Sequence, residues 1–249
     1  MIFRQLYEPL SSTYTYLLGD EQTGRAILID PVISTMERDL AEVHRLGLKL
    51  AYTVDTHIHA DHITGALELK RAVGSKIATP AHDNLSCTDI GIEEGKPFQV
   101  DGITLHPLHT PGHTEGHFSY LFNDRVFTGD ALLIEGCGRT DFQNGDADAL
   151  YKSVKEKLFS LPDETLVYPS HDYKQRFVSS IAQEKARNPR LGDNKTLEEF
   201  KHIMANLNLP YPKFIDYAVL GNQQCGVCPK DLPENLESYC QQMNRSPQG

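Results

Sequence analysis

"THIHADH" (residues 56–62) is the stretch on which the reading of this chain turns, because it sets three histidines and an aspartate within seven residues. It begins where the apolar run "LAYTVDT" (50–56) ends, so metal-avid side chains follow the end of a strand. Three other stretches repeat that arrangement. "HTPGHTEGH" (109–117) follows the strand-like "ITLHPLHT" (103–110), Asp130 closes "DRVFTGD" (124–130), and His171 closes "TLVYPSHD" (165–172). Strand ends on one edge of an open α/β sheet converge, and ligands sit beyond them. His57, His59, Asp61, His62, His113, Asp130 and His171 are therefore the candidate metal ligands, since imidazole and carboxylate atoms approach an ion to about 2 Å. His44, His82, His106, His109 and His202 lack this placement and read as surface or structural histidines. His109 alone lies close enough to His113 to support it from behind.

Around these motifs, short strands alternate with helices, the pattern of a layered α/β domain. "AILID" (26–30) reads as a buried strand stopped by Pro31. Ser34 and Glu37 have capping-box spacing ahead of a helix that carries Met36, Leu40 and Val43 on one face and stops at Gly47. Residues 63–73 predict a helix ended by Gly74, and 118–122 and 124–130 predict strands joined by a turn at Asn123 and Asp124. In 146–161, Leu150, Val154 and Leu158 recur four apart, as on an amphipathic helix. Thr196 and Glu199 open a last helix over Leu197, Phe200, Ile203 and Leu207. The expectation is one domain over residues 1–249.

Composition narrows the function classes. A net charge of −10 disfavours nucleic acid and anionic membrane as partners. No run approaches the ~18 apolar residues of a membrane span. The N-terminal "MIFRQLYEPL" has no apolar segment before a small-residue cleavage site, so cytoplasmic residence is expected. Five cysteines (Cys87, Cys137, Cys225, Cys228, Cys240) are an odd number at scattered spacing, which predicts reduced thiols rather than a disulfide framework.

"THIHADH", "HTPGHTEGH", "FTGD" and "YPSHDY" together resemble the metallo-β-lactamase superfamily. That resemblance implies an αββα sandwich of two mixed sheets flanked by helices, with the site along their edge. Within the superfamily, "TGDALLIEGCGRTDFQNGDADALYKSV" (128–154), "NPRL" (188–191), "IMANLNLP" (203–210) and "IDYAVLGNQQCG" (215–226) are similar to the persulfide dioxygenases, or sulfur dioxygenases. The two levels imply different chemistry. The superfamily pattern implies two zinc ions, with His57, His59 and His113 on one, Asp61, His62 and His171 on the other and Asp130 bridging, arranged for hydrolysis. The dioxygenase pattern implies one Fe(II) on His57, His113 and Asp130, with His59, Asp61, His62 and His171 as supporting or vestigial positions. Spacing alone does not separate the two.

The closer resemblance implies oxidation of the sulfane sulfur of glutathione persulfide by O2 to sulfite and glutathione. Its rival is hydrolysis of glutathione thioesters, the glyoxalase II reaction, at a dinuclear site. The substrate's carboxylates call for arginine forks. By resemblance Arg190 and Tyr173 match glutathione-binding positions, although Tyr173 also reads as a buried edge residue. Arg139 is either a further contact or the partner of Asp141. Cys137 reads as a small buried residue or as a thiol near the site, and "CGVC" (225–228) has redox-motif spacing without a following helix pattern. The oligomeric state is open, a homo-oligomer included.

Overall fold

The structure is a computed structural model, and it describes residues 1–230; Cys240 and the polar end after it lie outside the described residues. The chain forms two compact units. The first comprises residues 1–91, 99–103 and the stretch from Pro212; the second comprises 92–98 and 104–211.

The first sheet runs in sequence order from β1 to β6. β1 (Ile2–Glu8), β2 (Thr13–Asp20) and β3 (Arg25–Ile29) pair antiparallel, while β4 (Lys49–Val54) and β5 (Lys76–Pro80) continue parallel, with β6 (Ile90–Ile92) at the edge. Parallel pairing needs crossovers, and α1 (Met36–Arg45) and α2 (Ala66–Val73) supply them. Both faces of β3 are covered, which is why its sequence is continuously apolar rather than alternating. Ala26 and Leu28 pack with Leu17, Leu50, Val43 of α1 and Leu69 of α2. Each such leucine contributes about 1.5–3 kcal/mol by leaving water. Because β3 and β4 run parallel, they end side by side, and Asp30 emerges next to the start of 56–62.

The expected cap of α1 does not form. Thr35 takes the N-cap position without a side-chain bond, and Ser34 Oγ is buried with no hydrogen-bond partner among the described residues. The cause is a crosslink made before the helix begins: Val32 bridges Thr64, and Ile33 N donates to Ile63 O at 2.9 Å. That crosslink also delays α2, because Gly65 N donates to Pro31 O and the helix starts at Ala66 instead of residue 63. Gly74 stops α2 as expected, in the left-handed region.

The second sheet has the order β12-β11-β10-β9-β8-β7. Its strands are β7 (Phe98–Val100), β8 (Ile103–His109), β9 (Phe118–Phe122), β10 (Arg125–Gly129), β11 (Leu166–Pro169) and β12 (Ser179–Ser180). β8, β9 and β10 form an antiparallel meander and β11 lies parallel to β10. The crossover between them starts at Asp146, whose carboxylate accepts from Ala149 N at 2.6 Å, and runs through α3 (Ala147–Lys152). Residues 153–158 then widen into a π-helical stretch, so the expected 146–161 helix is not regular throughout. Leu150, Val154 and Leu158 nonetheless all face the core. They pack with Val126, Val167, Ile181 of α4 (Ile181–Arg187) and Phe200 of α5 (Leu197–Ala205). The Thr196–Glu199 capping box of α5 forms as expected. α6 (Ile215–Asn222) follows and belongs to the first unit; its weak amphipathic pattern leaves no periodic signal in the sequence.

The expectation of reduced thiols is overturned at Cys87, Cys225 and Cys228, all of which are disulfide-bonded. Cys87 and Cys225, 138 residues apart, form a disulfide. Cysteine count and spacing carry no information about which side chains the fold brings together; here both sit beside Ala66 and Ile77. Cys225 is therefore not half of a redox pair with Cys228. Cys87→Ser should lower the unfolding free energy by about 3–5 kcal/mol, because the closed loop is long. The check is urea unfolding of variant and wild type with and without dithiothreitol; a wild-type midpoint unmoved by reductant would show that the bridge adds no stability.

Candidate metal centre

In the first unit the ligand loop grows from a buried carboxylate. Asp30, at the end of β3, accepts from Thr56 N at 2.7 Å and from Thr56 Oγ1 at 2.9 Å. Thr56 Oγ1 also meets His57 Nδ1 at 2.9 Å. A hydroxyl has one proton, and Asp30 takes it, so His57 Nδ1 must be the donor. The Nε2 of His57 thus carries the lone pair that a metal needs.

His59 is wholly buried, with Nε2 3.1 Å from Asp30 Oδ1, an ion-pair distance with the N–H not aimed along a hydrogen bond. Burial opposes charging this ring, but Asp30, Asp61 and Asp55 outweigh it and push its pKa up to about 9. Asp55 is itself raised to about 7, mainly by burial. His62 Nδ1 lies 2.9 Å from Asp61 Oδ2, which also accepts from Thr13 Oγ1 at 3.0 Å. The rings of His57, His59 and His62 succeed one another at 4.1 and 4.3 Å. His59, Asp61 and His62 bring one ligand atom each within 4.8 Å of the others.

The second unit builds its part from two loops and two strand ends. His113 Nδ1 meets the carbonyl of Arg139 at 2.7 Å, and a carbonyl only accepts, so here too Nε2 carries the lone pair. That nitrogen lies 3.5 Å from Asp130 Oδ2, and His171 Nε2 lies 3.6 Å from the same oxygen. Asp130 Oδ1 is buried with no hydrogen-bond partner among the described residues. A buried carboxylate oxygen so placed costs free energy unless a cation takes it up. His117, which carries no expected role, accepts from Asp130 N at 3.0 Å through Nε2 and donates its Nδ1–H to Thr110 Oγ1. Its presence in "HTEGH" was the available signal. The ring of His109 meets Glu115 O and Phe118.

The segment 137–139 holds this part together. Gly138 N donates to Asp130 O at 2.7 Å, Arg139 O holds His113, and Cys137 O accepts from Arg190 Nη1 at 2.8 Å. Cys137 is a buried thiol whose pKa is pushed up to about 11 by burial, so of its two readings the inert one holds. The Arg139 fork closes on Asp141 at 2.6 and 2.7 Å and its third nitrogen donates to Pro210 O. Tyr173 is not a buried edge residue: it is 70% exposed, with its ring parallel to that of His171 at 5.7 Å.

Residues 9–171 match the metallo-beta-lactamase superfamily. The chain is 47% identical to the human protein named persulfide dioxygenase ETHE1, mitochondrial, over 91% of this chain and 89% of that one. The crystal structure of ETHE1 from Myxococcus xanthus superimposes with a TM-score of 0.89 at 54% identity, covering 91% of this chain and 100% of that one. The chain belongs to the persulfide dioxygenase family of the metallo-β-lactamase superfamily. It has the metallo-β-lactamase fold, with two mixed sheets flanked by helices, as the motifs implied. A cytoplasmic hydroxyacylglutathione hydrolase of Arabidopsis thaliana is a more distant relative, 36% identical over 66% of this chain and 65% of its own length. None of the helices among the described residues is long and apolar enough to cross a membrane.

Gly138 offers a direct test of how tightly this family member packs its candidate ligands His113 and Asp130. A Cβ there would lie 2.6 Å from Asp130 O and 2.7 Å from His113 Nδ1. Gly138→Ala should cost about 1–3 kcal/mol of stability through overpacking and lower the metal content together with it. Elemental analysis and urea unfolding check this; full metal occupancy in the variant would refute the tight-packing account.

Proposed function

We propose that this chain is a mononuclear Fe(II) enzyme that oxidises the sulfane sulfur of glutathione persulfide with O2, the iron being held by His57, His113 and Asp130. The observation that carries this reading is the state of the three side chains. Both imidazoles are fixed as the tautomer with a lone pair on Nε2, and Asp130 keeps an unpartnered buried oxygen. Two nitrogens and one carboxylate suit ferrous iron, which when bound leaves positions for sulfur and O2 and supplies the redox chemistry that carbonyl hydrolysis does not need. The balanced reaction consumes one water: GSSH, O2 and H2O give GSH and sulfurous acid. The S–S bond breaks, both atoms of O2 end on the outer sulfur, and glutathione leaves as the thiol.

In this reading the protein's own groups bind and orient the tripeptide. Arg190 spends Nη1 on Cys137 O, and its Nε and Nη2 meet no acceptor among the described residues. That edge of the guanidinium matches a carboxylate in two parallel hydrogen bonds. Its anchor is the segment that holds His113 and Asp130, so substrate grip and ligand geometry share one piece of backbone. Tyr173 offers an exposed phenol beside His171. Arg139, committed to Asp141, shapes the loop instead.

A second reading, a dinuclear hydrolase of glutathione thioesters, is favoured by one observation: His59, Asp61 and His62 make a second compact ligand set. The two are separated by metal analysis after anaerobic purification, paired with oxygen uptake on glutathione persulfide. We expect about one iron per chain, with His57→Ala, His113→Ala and Asp130→Ala each losing most of it and His59→Ala and His171→Ala keeping more. Two zinc ions with thioester hydrolysis, or equal metal loss in all five variants, would overturn the mononuclear reading.

Arg190→Ala should leave iron in place and raise KM for glutathione persulfide by about 10- to 100-fold with kcat nearly unchanged, as for a charge-assisted bond equally strong in ground and transition states. Tyr173→Phe should do less. An equal penalty on a small persulfide without the tripeptide carboxylates would reassign Arg190 to holding the loop.

A further inference from the structure

Asn222, the last residue of α6, is buried, and its amide is used entirely on the backbone of the ligand loop. Nδ2 donates to His59 O at 2.9 Å and to His62 O at 2.8 Å, and Oδ1 accepts from Thr64 N at 2.9 Å. The loop 56–64 lies outside every named strand and helix, so these peptide groups have no ladder to satisfy them. A primary amide supplies two donors and an acceptor from one short stem, which hydroxyls and carboxylates do not.

The chain after Asn222 reinforces the contact. Gly226, at a φ of 101°, comes so near that a Cβ would lie 2.1 Å from Thr64 O. Leu67 N donates to Cys225 O at 3.1 Å. Thr64 Oγ1 meanwhile reaches both oxygens of Asp55. The turn that carries the histidines is thus shaped on one side by Asp30 and on the other by Asn222.

We propose that Asn222 is a positioning residue of the metal centre: by fixing the peptide planes at His59, His62 and Thr64, it sets how the 56–64 turn presents His57 and its neighbours. It touches neither metal nor substrate, and the proposal rests on the reading of His57 as an iron ligand. The isosteric Asn222→Asp is the sharpest probe. It keeps the acceptor for Thr64 N, removes both donors, and sets a carboxylate oxygen against two carbonyl oxygens.

The experiment measures ferrous-iron affinity by competition with a chelator and, separately, the visible absorption spectrum of the Co(II)-substituted protein. Asn222→Asp and Asn222→Ser should each weaken iron binding about 10- to 100-fold, the scale for losing a group that orients ligands, and should shift the Co(II) bands. Ile215→Ala, at the buried far end of α6, is the control: it lowers the urea midpoint without moving either readout. Having two Asn222 variants keeps the result decisive if one fails to fold. The proposal is overturned if the Asn222 variants bind iron as wild type does, or if Ile215→Ala loses as much affinity at a matched midpoint. A wild-type protein that holds no iron would instead sink the functional reading.

Discussion

The carboxylate of Asp30 is the constraint on which the ligand loop depends. Burying an anion is costly unless it is paired and hydrogen-bonded. Asp30 meets that condition with the backbone and hydroxyl of Thr56 and with His59, while its own N–H goes to Val54 O and its carbonyl accepts from Thr15 Oγ1. The residue is held at a φ of 49°, off the strand geometry of β3, which turns its side chain toward the end of β4. One acid thereby joins β2, β3 and the ligand loop and fixes the tautomer of His57 through Thr56. Replacing any one of these donors would leave the others bearing a buried charge.

The second unit reaches the same end without a buried acid at the hub. Peptide groups do most of the work, with Arg139 O fixing the proton of His113 and Gly138 N holding Asp130 O, while the ring of His117 accepts from Asp130 N. The cost of this arrangement is steric, because the chain at Gly138 passes too close to Asp130 O and His113 Nδ1 to admit a side chain.

The metal motifs were legible because histidine and aspartate at strand ends are rare and chemically specific, and because a strand's end is readable from the apolar run before it. β9, α5 and its capping box, and the stop of α2 at Gly74 follow equally local signals. What was not legible depended on partners far along the chain. The cap of α1 looked sound locally, yet the crosslink between Val32 and Thr64 overrides it. Cys87 and Cys225 show no relation until α6 is placed. Asp30 looked like the polar end of a strand, and Asn222 looked like any asparagine near a helix end, since neither carries a motif. Arg139 and Arg190 are a nearer case. Both lie near family motifs, but only the three-dimensional arrangement shows that the first is occupied by Asp141 and the second keeps donors to spare.

The bonds from Asn222 join residues 158 to 163 positions apart, and that separation has a temporal side. A ribosome adding about 5–20 residues per second polymerises the histidine turn some 8–30 s before it reaches Asn222. During that interval the nascent turn has Asp30 but lacks its second support. The order of synthesis therefore leaves the carbonyls of His59 and His62 and the N–H of Thr64 without this partner until the chain has grown past Asn222.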